Sequence, residues 1–195
     1  MTGDDLVRCW WAGAGVGPDQ RLMRDYHDRE WGRPLRGRVE MFERMTLEAF
    51  QSGLSWLIIL RKRENFRRAF AGFDVDTVAG YTAADVERLM ADPGLVRNRA
   101  KIEAAVNNAR VAAALDVDLS DLLWSYAPSP RRRYVVASEV PSQSAESVAM
   151  ARHLKRLGFR FIGPTTAYAL MQATGMVDDH TRDCWVPASF SDIDR

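Results

Sequence analysis

The sequence predicts an all-α protein, and three observations carry that expectation. Apolar residues recur at helical three- and four-residue spacings through most of the 195-residue chain. Alternating apolar–polar runs closed by hairpin turns are missing, and residues 99–115 form an alanine-rich stretch of high helix propensity. Taken in order, residues 40–51 place Met41, Phe42, Met45 and Ala49 on one stripe. Asp76, Thr82 and Ser144 are side chains that accept from free N–H groups at helix starts, and each precedes a helical run. Tyr134-Val-Val136 looks briefly extended, and residues 127–130 and 139–144 read as loops on their Pro and Ser content. An amphipathic helix ends at Gly158, a short turn follows, and Pro164 opens the next helix at a position that proline favours. No internal repeat or low-complexity segment divides the chain, and its length suits one domain over residues 1–195, built as two tightly joined helical lobes.

Composition excludes several classes. Hydrophobic residues at 47% and charged residues at 27% are ordinary for a soluble globular protein. No apolar run is long enough to span a membrane; Trp56-Leu-Ile-Ile-Leu60, among the longest, stops at Arg61. Met1-Thr-Gly-Asp-Asp5 lacks the basic and apolar regions of a secretory leader, so a cytoplasmic protein is expected. A net charge of +1 does not announce a nucleic-acid binder, but basic residues gather at 61–68, 97–101, 131–133 and 152–160. Such clusters either neutralise phosphates or form solvated helix faces.

The only two cysteines, Cys9 and Cys184, lie near opposite ends of the chain, each with a histidine nearby in sequence, His27 and His180. Two thiolates and two imidazoles suit tetrahedral zinc, and the His180-x3-Cys184 step would put two ligands one helical turn apart. A Cys9–Cys184 disulfide, or two unrelated buried thiols, are the alternatives. A disulfide is disfavoured in a reducing compartment. Four protein ligands leave no open position for water, so such a metal would be structural.

Two further stretches hold more chemistry than packing requires. Glu48 follows Met45 at the edge of the apolar stripe, with Gln51, Ser52, Gly53, Ser55 and Trp56 just beyond. A carboxylate at a core edge costs free energy unless it meets a charged partner, an arginine, solvent or a ligand. The second stretch, 156–168, brings a glycine-rich turn to a helix N-terminus, where free N–H groups suit an anion; the alternative is a plain helical hairpin packed through Phe159 and Phe161.

Arg8-Cys9, Tyr26-His-Asp-Arg-Glu-Trp-Gly-Arg-Pro34, Leu47-Glu-Ala-Phe-Gln-Ser-Gly-Leu-Ser-Trp56, Lys62-Arg-Glu-Asn-Phe66, Gly158-Phe-Arg-Phe-Ile-Gly163 and Val177-Asp-Asp-His180 occur in that order. Together they resemble the 3-methyladenine DNA glycosylase I family of the helix-hairpin-helix superfamily. The resemblance implies a helix-hairpin-helix glycosylase fold, with the motif at about residues 145–175 and the terminal segments joined by one structural Zn2+ on Cys9, His27, His180 and Cys184. It places Glu48 on the family's pocket carboxylate, and Tyr26, Trp56 and Trp11 on aromatics that hold the flipped base. Gly158, Arg160, Gly163 and Thr165 fall on the DNA-phosphate clamp.

What the resemblance implies about activity is a monofunctional enzyme that hydrolyses the N-glycosidic bond of 3-methyladenine in double-stranded DNA. Such an enzyme initiates base excision repair as a monomer, without an obligatory protein partner. Bifunctional relatives carry a lysine where this chain has Thr165, so no strand cleavage is expected. The family pattern has asparagine where this chain has Asp178. That carboxylate offers either catalytic support to an oxocarbenium-like sugar or, in the favoured reading, a structural role beside His180. A zinc-stapled DNA-binding module without catalysis is the alternative from another class.

Overall fold

The computed structural model describes residues 6–13 and 15–188. Among them are nine α-helices: α1 (Pro18–Arg29), α2 (Arg38–Gln51), α3 (Trp56–Ala69), α4 (Val75–Ala79), α5 (Ala83–Ala91), α6 (Arg99–Ala113), α7 (Leu119–Trp124), α8 (Ala145–Leu157) and α9 (Pro164–Ala173). Short 3-10 turns occur at Trp10–Ala12, Ala71–Phe73 and Ala137–Glu139. The described residues contain no strand, as the missing alternation implied; the 134–136 segment is irregular, and its Tyr134 carbonyl accepts from the Arg182 amide at 2.8 Å.

The helix boundaries have identifiable chemical causes. Thr82 and Asp85 close a capping box at the start of α5, and the Ser144 hydroxyl accepts from the Ser147 amide at 3.2 Å to start α8. Asp76 was expected to cap, but it lies inside the first turn of α4; the capping residue is Asp74, whose carboxylate accepts from the Thr77 amide at 2.8 Å. The two aspartates flank Val75, and only the earlier one is placed to receive that amide. Gly158 ends α8 in the left-handed region at φ 99°, and Pro164 opens α9 at its first position.

Helix α2 runs through the middle of the assembly and packs against α3, α4, α6, α7 and α9. Its buried face, with Met41, Phe42, Met45, Leu47 and Phe50, meets Phe66, Phe70 and Phe73 from α3 and the turn that follows. Ring centroids in this cluster lie 4.8–6.2 Å apart. Burying each such side chain contributes roughly 1.5–3 kcal/mol, so this cluster holds α2 rigidly. A smaller apolar cluster gathers Cys9, Tyr26, Trp31, Leu60, Cys184 and Val186, and Trp56 packs against both clusters. Cys9 and Cys184 thus share one cluster with Leu60 of α3 and Ala173 of α9. At Gly175, φ is 72° and an added Cβ would sit 2.6 Å from the backbone of Arg33 and Pro34, so only glycine permits that approach. No helix among the described residues is long and apolar enough to cross a membrane.

Candidate functional site

The two terminal segments meet at a buried cluster of Cys9, His27, His180 and Cys184, whose ligand atoms all lie within 4.8 Å of one another. Cys9 Sγ is 3.5 Å from His180 Nδ1, and Cys184 Sγ is 3.4 Å from His180 Nδ1 and 3.5 Å from His27 Nε2. Tetrahedral zinc with bonds of about 2.3 Å to sulfur and about 2.0–2.1 Å to nitrogen requires S···N edges of about 3.5 Å. The donor set and its spacing therefore fit that ion. Both cysteines are free thiols rather than a disulfide. The remaining ring nitrogens are also engaged: His27 Nδ1 lies 2.7 Å from Asp28 Oδ1, and His180 Nε2 lies 3.2 Å from the Trp31 carbonyl oxygen. Such contacts orient metal-binding imidazoles. Gly32 is required here, because with φ at 74° an added Cβ would sit 2.8 Å from His180 Nε2. The expected helical turn between His180 and Cys184 is absent; the segment is a non-helical turn in which the Cys184 amide donates to the Thr181 carbonyl at 2.9 Å.

Beside this cluster lies a cavity of about 240 Å³ with aromatic walls from Trp11, Tyr26, Trp31 and Trp56. Tyr26 and Trp56 are tilted at 45° with centroids 5.2 Å apart, and Trp11 meets Trp31 edge-on at 4.9 Å. Trp10 and Val140 stand at the cavity too, and the polar side chains reaching it are Glu48, Gln51 and Gln172. Sequence neighbours link the Cys/His cluster and the cavity: Cys9 precedes Trp10 and Trp11, and Tyr26 precedes His27.

Glu48 is 5% exposed and accepts no hydrogen bond from the described residues. Burial pushes its carboxyl up to about 7, against the opposing pull of the nearby Arg44 guanidinium. Arg44 is committed elsewhere, donating to the Tyr26 hydroxyl at 2.8 Å and lying 3.4 Å from Glu30, which Arg63 also holds at 2.6 Å. Neither solvent nor an ion pair therefore accounts for Glu48; it is a carboxyl in an apolar wall with its oxygens unclaimed. Tyr26 is buried with its hydroxyl accepting from Arg44, and burial raises its ionisation well above the ordinary tyrosine range. The Trp56 indole N–H is buried without a partner among the described residues. The turn between α2 and α3 is pinned by the buried Lys101, whose ammonium donates to the carbonyls of Phe50 at 2.8 Å and Ser52 at 2.5 Å. That lysine opposes the negative end of α2.

Asp178 does not line the cavity. Its carboxylate accepts from Arg133 Nε at 2.9 Å and from the His180 amide at 3.3 Å. Its neighbour Asp179 is fully buried and accepts from the Tyr168 hydroxyl and Gln172 Nε2, each at 2.8 Å, as well as pairing with Arg131.

The turn between α8 and α9 is held from behind by α6. Asn108 accepts from the Arg160 amide at 2.8 Å and donates to the Arg160 carbonyl at 3.0 Å, while Asn107 donates to the Gly158 carbonyl at 2.9 Å. Phe159 and Ile162 are buried, whereas Phe161 is 44% exposed at a positive φ of 60°. The turn thus packs through Phe159 and Ile162, and Phe161 projects outward. Nothing lies within 4 Å of a Cβ added at Gly163, so the space above that residue is open. Of the basic clusters, Arg61, Arg63, Arg67 and Arg99 are spent on acidic side chains, as are Arg131 and Arg133. Arg152, Lys155, Arg156 and Arg160 are exposed and make no ion pair with described residues, which leaves α8 and its turn as a cationic surface.

The comparisons with known proteins agree with this geometry. The methyladenine glycosylase family model matches residues 16–187. A DNA-3-methyladenine glycosylase of Haemophilus influenzae is 42% identical over 186 residues, covering 91% of this chain and 96% of that protein. The chain belongs to the methyladenine glycosylase family. DNA-3-methyladenine glycosylase 1 of Escherichia coli is 39% identical, covering 92% of this chain and 96% of that protein. A crystal structure of a 3-methyladenine DNA glycosylase I superposes with a TM-score of 0.85 at 38% identity, covering 92% of this chain and 98% of that one. A variant of such a glycosylase solved in complex with 3-methyladenine superposes with a TM-score of 0.80 at 35% identity over 89% of this chain and 95% of that one.

Within this methyladenine glycosylase fold, the residues expected from sequence fall into three groups. Cys9, His27, His180 and Cys184 converge, and Tyr26, Trp11, Trp56 and Glu48 share one cavity. Gly158, Arg160, Gly163 and Thr165 lie on or just after the turn, at a distance in sequence from both. Sequence reasoning did not find Trp31, Gln172, Arg44, Lys101 or Asn108. Nothing in local spacing signals them, because folding rather than helical spacing brings their partners near, though Trp31 and Gly32 do sit within the motif beginning at Tyr26.

Proposed function

We propose that this protein is a monofunctional DNA glycosylase that flips 3-methyladenine out of alkylated duplex DNA and hydrolyses its N-glycosidic bond, initiating base excision repair. The observation that carries this reading is Glu48, an unclaimed carboxyl in the wall of an aromatic cavity of about 240 Å³. That chemistry suits a flat cation.

A purine inside a duplex is out of reach, and extruding it costs a few kcal/mol. The exposed basic side chains of α8 and the 158–163 turn hold backbone phosphates during that step, in the manner of a helix-hairpin-helix motif, and Thr165 sits beside them on α9. Methylation at N3 makes the nucleotide's base cationic. The faces of Tyr26 and Trp56 attract it by about 0.5–2 kcal/mol per ring. Arrival of a cation favours the ionised form of Glu48, whose oxygens then accept hydrogen bonds from the base edge. Bond breaking releases a neutral base, so no strong general acid is needed, and water completes the exchange at the sugar carbon. Glu48 serves recognition rather than nucleophilic attack. Asp178, turned toward Arg133 and His180, serves structure.

Cys9, His27, His180 and Cys184 would hold one zinc ion, which when bound ties the two terminal segments together. All four donors come from the chain, and none is left for substrate. The helices form one folded unit acting without an obligatory protein partner. Thr165 in place of an amine leaves no Schiff-base nucleophile at that position.

The test is chromatography of bases released when purified protein meets duplex DNA treated with a methylating agent. Free 3-methyladenine should appear while the strand stays intact until alkali is added. Absence of base release, or strand cleavage in step with it, overturns the proposal.

A further inference from the structure

We infer that Gln172 is a specificity-determining residue, its side-chain carbonyl held toward the cavity by Asp179 so that it accepts from the 6-amino group of an adenine-type base. This rests on the proposed glycosylase reading and names which edge of the base that site selects.

Asp179 is fully buried, so its carboxylate needs donors, and the structure supplies them from Tyr168, Arg131 and Gln172. A carboxylate only accepts. The Gln172 amide must therefore turn its NH2 toward Asp179 Oδ2, at 2.8 Å, and its carbonyl oxygen away from it. Turning the amide over would set two oxygens against each other and strip a charge-assisted bond from a buried carboxylate. The carbonyl oxygen so fixed has no partner among the described residues, and Gln172 forms part of the cavity wall. Its backbone is anchored as well, with the carbonyl accepting from the Gly32 amide at 3.1 Å.

The cavity thus presents two side-chain acceptors, the Glu48 carboxylate and the Gln172 carbonyl, with Gln51 free to turn either way. A 3-methyladenine base offers an exocyclic amine to such a pair. A base with a 6-oxo group offers another acceptor, which the fixed Gln172 carbonyl cannot satisfy. A site built to accept from an amine rejects an analogue lacking it far more strongly than a hydrophobic wall does.

The experiment compares kcat/KM for release of 3-methyladenine and 3-methylguanine from otherwise identical duplexes. It uses wild type, Gln172→Met and Asp179→Asn, with zinc content and melting temperature measured alongside. The preference for 3-methyladenine is expected to fall about tenfold in Gln172→Met. It should fall in the same direction in Asp179→Asn, where the amide is free to turn over. A folded, zinc-loaded variant of either kind with unchanged preference overturns the inference. Wild-type binding of free 3-methyladenine and 3-methylhypoxanthine, which needs no variant, is expected to differ by tenfold or more, and equal affinity overturns it too. Wild type that releases neither base refutes the glycosylase reading instead, so the two failures are distinguishable.

Discussion

Glu48→Gln should make the protein more stable at neutral pH, and by an amount that depends on pH in a definite way. The Glu48 carboxyl is buried without a hydrogen-bond partner among the described residues, and burial raises it from 4.5 to about 7. Below 4.5 the group is protonated in both folded and unfolded chains and costs nothing. As pH rises from there to about 7, the unfolded chain ionises while the folded chain still holds the proton, so stability is progressively lost; above about 7 the loss is complete. That displacement is worth roughly 3 kcal/mol when fully developed. Glutamine has nearly the same shape and cannot ionise, so the variant escapes the loss. The expected advantage of Glu48→Gln is under about 1 kcal/mol at pH 5 and about 3 kcal/mol at pH 8. For a chain of this size the larger value raises the melting temperature by roughly 6–12 °C. Urea and thermal unfolding of both proteins across that range, without DNA, measure it directly. Parallel stability profiles, or a variant less stable than wild type at pH 8, would refute the reasoning that Glu48 is held in the fold at a cost.

Purified protein should carry one zinc ion per chain, and His180→Ala or Cys184→Ala should lose the ion and unfold at a lower temperature; elemental analysis and calorimetry check this. Gly163→Val should leave the melting temperature unchanged, because nothing in the fold occupies the Cβ position. It should nevertheless weaken binding to all duplexes alike, and retained affinity in a titration at fixed salt would remove the turn from the DNA interface. Asp178→Asn, which restores the residue usual in the family pattern, should change excision rate less than threefold, since the asparagine oxygen still accepts from Arg133; a larger loss in a single-turnover assay would give the carboxylate a catalytic part.

Much of this fold is legible because helices announce themselves locally. The stripe from Met41 to Ala49, the Ser144 cap and the Gly158–Pro164 punctuation all act within a few residues, and the structure uses each of them. Asp76 failed as a cap because two aspartates flank the first helical residue and sequence does not say which one receives the amide. The His180-x3-Cys184 step is consistent with a helix, yet the metal geometry needs only that the ligands converge, and a turn does that as well. The basic clusters were open to two readings in sequence, and burial separates them. Arg131 and Arg133 look like phosphate contacts in sequence, but buried Asp178 and Asp179 need counter-charges, and those arginines are spent on them. Gln172 and Lys101 were invisible because their meaning depends on groups brought near only by folding.

The most direct test of the central claim, that Glu48 recognises a cationic base rather than performing the chemistry, is one paired measurement on Glu48→Gln. Affinity for free 3-methyladenine is followed by titration, and single-turnover excision by base release from methylated duplex DNA. The expected result is weaker base binding together with slowed but measurable excision, since the alkylated nucleotide is already primed to dissociate. Excision abolished while base binding survives is the pattern of a lost transition-state interaction, and it would contradict the claim.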